Sequence, residues 1–83
     1  MRYTVIWRRT AENQLATIWL QASDPQSVQQ ASDRIDQLLR VSSLARGNDR
    51  PGLNELTVWP IRVLFKVSPD DRTVIVLRVL QTA

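Results

Sequence analysis

The residues of this sequence with the clearest potential for chemistry lie inside a β-strand pattern. Isoleucine, valine and phenylalanine fill alternate positions from Ile61 to Val67. Arg62 and Lys66 therefore share the opposite face with Leu64, because strand side chains alternate with a period of two. Cations held among apolar neighbours lose hydration unless an anion reaches them. The pattern predicts a surface that meets phosphate or carboxylate, and the alternative is an ordinary solvated face of a sheet.

Three further arginines are candidates for contact with a target. Arg46 and Arg50 fall in a loop pattern that could extend toward a nucleic-acid backbone, although charged loops are commonly just solvated. Arg78 lies in the last strand pattern. It would join Arg62 and Lys66 if the two strands pair in register, or it would pair with Glu55 or with a carboxylate of a partner.

Glu55 and the three tryptophans are the remaining candidates. Glu55 is a candidate general base, but a single carboxylate near arginines is more often the partner in an ion pair. All three indoles could serve as stacking platforms for bases. The periodic positions of Trp7 and Trp19 favour the core instead, whereas Trp59, beside Pro60 at the end of a strand pattern, is predicted to lie in an interface.

Composition excludes several kinds of chemistry. The 83 residues contain no cysteine and no histidine, which removes thiol nucleophiles, disulfides, imidazole catalysis and nearly every transition-metal site. The net charge of +3 comes mainly from arginine, which favours bidentate binding of phosphate or carboxylate. We predict a single domain over residues 1–83 that uses no cofactor and no metal. The apolar runs are too short for a signal peptide or a membrane span, so we expect a cytoplasmic protein with no membrane partner.

Periodicity predicts a strand followed by a pair of helices. Alternation from Tyr3 to Arg8 is typical of a strand with both faces partly covered, and we expect a strand inside the sheet and not at an exposed edge. Thr10 is placed to cap the first helix, and Asp24 to cap the second, with Pro25 at its first position. The predicted apolar faces comprise Ala11, Leu15, Ile18, Trp19 and Ala22 in the first helix and Val28, Ala31, Ile35, Leu38 and Leu39 in the second.

The second half of the chain predicts three strands. A loop over residues 42–52 precedes a strand pattern from Leu53 to Trp59. Pro60 then marks a bend, and turn residues at 68–71 separate the last two strands. The element order is β-α-α-β-β-β. It predicts an α+β fold in which the helical hairpin covers one face of the sheet.

The last strand pattern, from Thr73 to Leu80, is apolar on both faces. Strict alternation assigns Ile75, Leu77 and Val79 to one face and Val74, Val76, Arg78 and Leu80 to the other. Since two helices can cover only one face of the sheet, an apolar patch would stay open. Such a patch is typical of a protein-binding site.

The same segments carry a family resemblance. The chain resembles the RelE/ParE superfamily of type II toxin-antitoxin modules over nearly its whole length, through an L-x-x-I-W helix, a D-R-I-D-Q-L-L helix, and the strands W-P-I-R-V-L-F-K-V and D-D-R-T-V-I-V-L-R-V. The most specific element is P-I-R-V-L-F-K-V, which is similar to the family signature P-x-R-[VIL]-x-[YF]-x-[VI]. The resemblance implies a small twisted antiparallel sheet with an N-terminal helical hairpin on one face. It also implies a toxin whose concave face binds a cognate antitoxin or is directed at a target.

The superfamily divides into two functions, and the resemblance leaves both open. RelE-like members cut mRNA in the ribosomal A site, whereas ParE-like members inhibit DNA gyrase. In the cutting reaction the ribose 2′-hydroxyl attacks the neighbouring phosphate, which requires a base, a cationic clamp and an acid. Arg62 occupies the position of the family's strand arginine and would be the clamp. Lys66 would be a second clamp or, in its uncharged form, the base.

The sequence departs from RelE-like nucleases at two places. Those enzymes usually carry further basic residues in the preceding strand, and an arginine and often a tyrosine beyond the last strand. The corresponding segments here are L-N-E-L-T-V-W and V-L-Q-T-A, and no tyrosine follows Tyr3. Three functions therefore stay open: a ribosome-dependent endoribonuclease, a protein-binding toxin of the gyrase-inhibitor kind, and a non-toxic protein retained as the partner of its antitoxin.

Overall fold

The computed structural model describes residues 2–41 and 53–82 and confirms the predicted element order β-α-α-β-β-β and the α+β fold class. The elements are β1 (Thr4–Trp7), α1 (Arg9–Gln21), α2 (Pro25–Val41), β2 (Asn54–Val58), β3 (Ile61–Ser68) and β4 (Thr73–Gln81). Neither described helix combines the length and the apolar content that crossing a bilayer requires. The loop predicted over residues 42–52 lies outside the described residues.

The two helices begin differently. The N-cap residue of α1 is Arg8, whose backbone is extended and whose side chain makes no capping hydrogen bond. The prediction of a cap at Thr10 was therefore wrong, because α1 follows β1 after a single residue and Thr10 already lies in the first turn. The prediction for α2 is confirmed: Asp24 precedes Pro25, and the Ser27 hydroxyl donates to the Asp24 carboxylate at 2.6 Å. This hydrogen bond lowers the pKa of Asp24, with further contributions from backbone N–H groups of the first turn.

The helices cover one face of the sheet and enclose the core. Buried apolar residues come from both helices and from β1, β3 and β4, and the largest of them are Phe65, Ile35 and Leu39. Burying each such side chain contributes about 1.5–3 kcal/mol. Trp7 packs against this core, but the predicted core position of Trp19 was wrong, because 43% of Trp19 is exposed. Each helical residue rotates the side-chain direction by about 100°, which turns Trp19 away from the buried stripe.

The sheet has the strand order β1-β4-β3-β2. The pairs β2–β3 and β3–β4 are antiparallel, as predicted, whereas β1 pairs with β4 in parallel, so that the sheet is mixed. β1 is therefore an edge strand, and the prediction of an internal position was wrong. Its apolar Ile6 points to the face without helices and is 47% exposed. Apolar residues on both faces of β1 thus reflect an uncovered patch and not burial.

A β-bulge in β4 changes which of its side chains face the core. Leu64 of β3 pairs with Arg78, whereas Phe65 pairs with Val76, so Leu77 is the extra residue of β4. The alternation of β4 therefore shifts by one position. Its core positions are Val74, Val76 and Val79, and its opposite face carries Ile75, Leu77, Arg78 and Leu80. The strict alternation predicted for residues 78–80 was wrong for this reason.

Both connections between the last three strands lie where the sequence predicts. Pro60 follows Trp59 in the bend between β2 and β3, through a cis peptide bond. In the turn between β3 and β4, the Ser68 hydroxyl donates to the Asp71 carboxylate at 3.1 Å. These short connections keep β2, β3 and β4 in register, which determines the neighbours of every side chain on the face without helices.

Candidate functional site

The face of the sheet opposite the helices carries the predicted cations, and we call it the open face. Cross-strand pairing assigns its members, because residues paired across strands point to the same side. They are Ile6 from β1, Glu55 and Thr57 from β2, Arg62, Leu64 and Lys66 from β3, and Ile75, Leu77, Arg78 and Leu80 from β4. Cations and apolar side chains are thus interleaved on one surface.

Arg78 joins the two cations of β3 because of the bulge. Leu64 lies between Arg62 and Lys66 along β3 and is directly opposite Arg78 on β4. Without the extra residue Leu77, strict alternation would turn the Arg78 side chain toward the core. The structure therefore places three cations around Leu64. The pairing of β3 with β4 fulfils the condition under which the sequence predicts that Arg78 joins Arg62 and Lys66.

Within residues 2–41 and 53–82, Arg62 is held only by a weak ion pair. Its Nη1 lies 3.9 Å from Oε1 of Glu55, and the two side chains are 40% and 60% exposed. An ion pair this exposed contributes about 0–1 kcal/mol. The Nε atom of Arg62 is shielded from solvent and has no hydrogen-bond acceptor among the described residues. A shielded donor without an acceptor is unfavourable, but an incoming oxygen reaches it only if the side chain moves. The exposed terminal nitrogens of the guanidinium are the ones open to an anion.

Groups for acid–base chemistry are few on the open face. Besides arginine, its titratable side chains within the described strands are Glu55, which pairs with Arg62, and Lys66. Tyr3 is buried in the core. Over residues 2–41 and 53–82, no group of three carboxylates is placed to hold a metal ion. The arrangement is suited to binding anions through arginine and apolar groups through leucine.

A recess of about 240 Å³ opens beside Arg78 on the open face. Its lining consists of Arg8, Thr10, Leu53, Leu64, Leu77 and Arg78. The Arg8 N–H donates to the Val76 carbonyl at 3.0 Å, which completes the pairing of Trp7 with Val76 at the end of β1. Sequence reasoning did not single out Arg8, although its spacing of two residues from Ile6 indicates the same face.

A concavity lies between the two helices, and we call it the helical groove. It has a volume of about 870 Å³. Its apolar lining includes Trp7, Leu15, Trp19, Leu20 and Val28, and its carboxylates are Glu12, Asp33 and Asp36. Trp7 Nε1 donates to Asp36 at 3.0 Å, and Arg40 Nε donates to the second oxygen of the same carboxylate at 2.7 Å. Sequence reasoning missed this groove because it assigned the two indoles to the core.

The remaining predicted site residues do not join these surfaces. Trp59 is 70% exposed at the bend after β2, and it lines neither the recess nor the helical groove. Its role in an interface stays a prediction. Arg46 and Arg50 lie outside the described residues.

A comparison with protein families covers nearly the whole chain. The model of the family described as "ParE toxin of type II toxin-antitoxin system, parDE" matches residues 5–83. The chain belongs to the ParE toxin family. Membership of the RelE/ParE superfamily, which the strand and helix motifs predict, is thereby confirmed. A comparison with curated proteins found no significant match.

Solved structures named for RelBE and for ParDE share the fold of this ParE-family chain. A chain of the RelBE2 toxin-antitoxin complex from Mycobacterium tuberculosis matches with a TM-score of 0.74 and 20% identity, over 98% of this chain and 92% of that chain. A chain of the chromosomal ParDE system from P. aeruginosa matches with a TM-score of 0.64 and 22% identity, over 98% of this chain and 97% of that chain. A chain of the E. coli RelBE complex matches with a TM-score of 0.58 and 14% identity, over 98% of both chains. At these identities the similarity supports the fold and does not separate the two functions of the superfamily.

Proposed function

We propose that this toxin inhibits a protein target, as ParE-like inhibitors of DNA gyrase do, and that it binds this target through its open face. We also propose that a cognate antitoxin neutralises it by binding the toxin. The observation that carries the proposal is the arrangement of Arg62, Lys66 and Arg78 around Leu64. Arginine among apolar side chains is typical of the energetically important part of a protein interface. The open face therefore has the chemistry of a surface that binds another protein.

The same residues are a poorer basis for cutting RNA. A nuclease needs a base and an acid within reach of the phosphate, in addition to a cationic clamp. On the described open face these two roles would fall to Glu55 and Lys66, and Glu55 already faces Arg62 at 3.9 Å. A protein-binding face requires only complementary shape and charge. Protein binding therefore makes use of the leucines as well as the cations.

A ribosome-dependent mRNA endoribonuclease is the second candidate. The observation that favours it is the exposed end of the Arg62 guanidinium, whose contact with Glu55 at 3.9 Å is weak and which a phosphate oxygen would engage more strongly. In that case Arg62 would be the clamp and Lys66 the second clamp or the base, with the ribosome and its mRNA as partners. Arg78 would add charge from the neighbouring strand.

Two assays on one preparation of the protein separate these candidates. The protein is added to a supercoiling reaction of DNA gyrase, and to a reconstituted translation reaction in which primer extension maps cuts in a defined mRNA. We expect inhibition of supercoiling and no cuts. Arg62→Ala should lose the inhibition and stay folded, because an arginine on an exposed face contributes little to stability. Arg34→Ala, at an exposed position of α2, is the matched control and should inhibit like the unchanged protein.

Each other outcome of these assays has a definite meaning. Ribosome-dependent cuts that disappear in Arg62→Ala would replace the proposal with the endoribonuclease. Inhibition of gyrase that persists in a folded Arg62→Ala variant would move the binding surface away from the open face. Neither activity, in a protein that still binds its antitoxin, would identify a non-toxic partner of the antitoxin.

A further inference from the structure

We infer that the recess beside Arg78 binds the side-chain carboxylate of an aspartate or glutamate from a protein partner, presented next to an apolar residue. The inference rests on the proposed function, because it names an anchor point on the same open face. The recess shares Arg78 and Leu64 with the surface proposed above but adds Arg8, and Arg62 and Lys66 do not line it. The two ideas can therefore fail separately.

Two features of the fold bring the arginines to one recess. The bulge in β4 turns Arg78 onto the open face, opposite Leu64. The parallel pairing of β1 with β4 ends in the hydrogen bond from the Arg8 N–H to the Val76 carbonyl. Arg8 then lies on the open face at the end of β1, next to the bulged part of β4. The recess is thus built from backbone pairing and does not depend on a loop for its arginines.

Charge is the first argument for a carboxylate in this recess. Arg8 and Arg78 are exposed, and neither forms an ion pair with another described residue. Like charges at one cavity repel, and an anion between them converts the repulsion into attraction. A guanidinium donates two parallel hydrogen bonds to a carboxylate, so each arginine can engage one ligand without reorganising the backbone.

Size and lining favour a protein side chain over a nucleic acid. The volume of about 240 Å³ lies below the roughly 300–1,000 Å³ typical of small-molecule pockets, so the recess suits a single side chain and not a nucleotide. Its other lining residues are Thr10, Leu53, Leu64 and Leu77, and none of the described residues that line it is aromatic. Binding of single-stranded nucleic acid commonly relies on aromatic stacking. The leucines instead match an apolar residue beside the acid.

Selection from random peptides tests this inference directly, because the protein itself then chooses its ligand. Short peptides displayed on phage are selected on the immobilised protein, and the best one is synthesised as selected and with its acid replaced by the matching amide. We expect the selected peptides to contain Asp or Glu beside Leu, Ile or Val. Binding measured by fluorescence polarisation should weaken about tenfold in Arg8→Gln and in Arg78→Gln, as expected for loss of one charge-assisted hydrogen bond. The amide peptide should bind the unchanged protein more weakly by a similar factor.

Controls restrict the effect to the recess. Arg34→Gln on α2 should bind the acidic peptide like the unchanged protein, and Arg78→Lys should bind more tightly than Arg78→Gln because it keeps the charge. Circular dichroism of every variant checks that it is folded. A labelled oligouridylate is titrated in parallel as the nucleic-acid probe.

Several results would overturn the inference. The inference fails if no binding peptide is recovered, or if the selected peptides are not enriched in Asp or Glu. It also fails if Arg78→Gln binds the acidic peptide as tightly as the unchanged protein does. Finally, it fails if the protein binds oligouridylate through Arg78 and does not bind the peptide. Peptide binding that requires Arg62 but neither Arg8 nor Arg78 would reject the recess and leave the proposed function standing. Acid-dependent binding at the recess, combined with no inhibition of gyrase, would support the recess and reject the proposed function.

Discussion

The open face and the helical groove are both partly apolar, yet they carry opposite charge. On the open face cations outnumber carboxylates, with Arg62, Lys66 and Arg78 against Glu55. In the helical groove carboxylates outnumber cations, with Glu12, Asp33 and Asp36 against Arg40. The small net charge of +3 for the whole chain conceals this division. A partner suited to one surface is therefore electrostatically unsuited to the other.

The two regions also differ in how firmly their charges are held. In the helical groove, Asp36 accepts hydrogen bonds from Trp7 at 3.0 Å and from Arg40 at 2.7 Å. On the open face, Arg62 has one ion-pair partner at 3.9 Å and a shielded Nε without an acceptor among the described residues. Asp36 is thus satisfied within the fold, whereas Arg62 has capacity left for a ligand. This difference makes the open face the stronger candidate for binding.

The largest effect on stability is expected at β3, where two neighbouring residues face opposite sides of the sheet. Phe65→Ala should lower the free energy of unfolding by about 3–5 kcal/mol, because the fully buried ring leaves a cavity. Leu64→Ala on the open face should cost about 1 kcal/mol, since Leu64 is only half-buried. Urea unfolding of the two variants measures both values. Equal losses would mean that the open face is covered in solution.

The second effect concerns growth and compares charge reversals on the two surfaces. Arg62→Glu should abolish growth arrest when the toxin is expressed without its antitoxin, because it places like charge against an acidic partner, at a cost of several kcal/mol. Asp33→Lys in the helical groove should leave growth arrest intact. Plating of induced cells measures both, with immunoblotting to establish equal protein levels. Arrest that survives Arg62→Glu and is lost in Asp33→Lys would exchange the roles of the two surfaces.

The sequence was sufficient for much of the fold and for part of the candidate site. Period-two alternation from Ile61 to Val67 correctly separated core side chains from Arg62 and Lys66, because β3 is regular over those positions. The cap at Asp24 was equally predictable, because its hydrogen bonds are local. Both features depend on residues close in sequence, which is where pattern reasoning is most reliable.

The failures involve interactions between distant segments. No local pattern marks Leu77 as a bulge residue, since the register shift is defined only when β3 pairs with β4. The parallel pairing of β1 with β4 likewise joins the two ends of the described chain, and it brings Arg8 to the recess. Trp19 was misassigned because an apolar residue on a helix indicates burial only when a partner element covers it.

A smaller effect is expected from the hydrogen bonds that support the helical groove. Asp36→Ala should lower the free energy of unfolding by about 1–2 kcal/mol, because it removes the acceptor for Trp7 and a partly exposed ion pair with Arg40. Asp33→Ala is the matched control. The contact that it loses among the described residues is the hydrogen bond from Gln29, four residues earlier on the helix, so it should cost about 0.2–0.5 kcal/mol. A similar loss of stability in both variants would show that the hydrogen bond from Trp7 contributes nothing. Gyrase inhibition should be unchanged in both variants.

The smallest effect is a pH dependence confined to the helical hairpin. The pKa of Asp24 lies below its ordinary value of 3.8, first because the Ser27 hydroxyl donates to the carboxylate. Folding therefore favours the charged form, so this contribution is fully present above 3.8 and is lost as the pH falls through the lowered pKa of the folded state. Asp24→Asn keeps an N-cap and removes the titration. Urea midpoints measured from neutral pH downward should fall more steeply for the unchanged protein than for Asp24→Asn, and identical slopes would mean that the Ser27 hydrogen bond does not form in solution. Because Asp24 lies in the hairpin, peptide binding at the open face at neutral pH should be the same in both proteins.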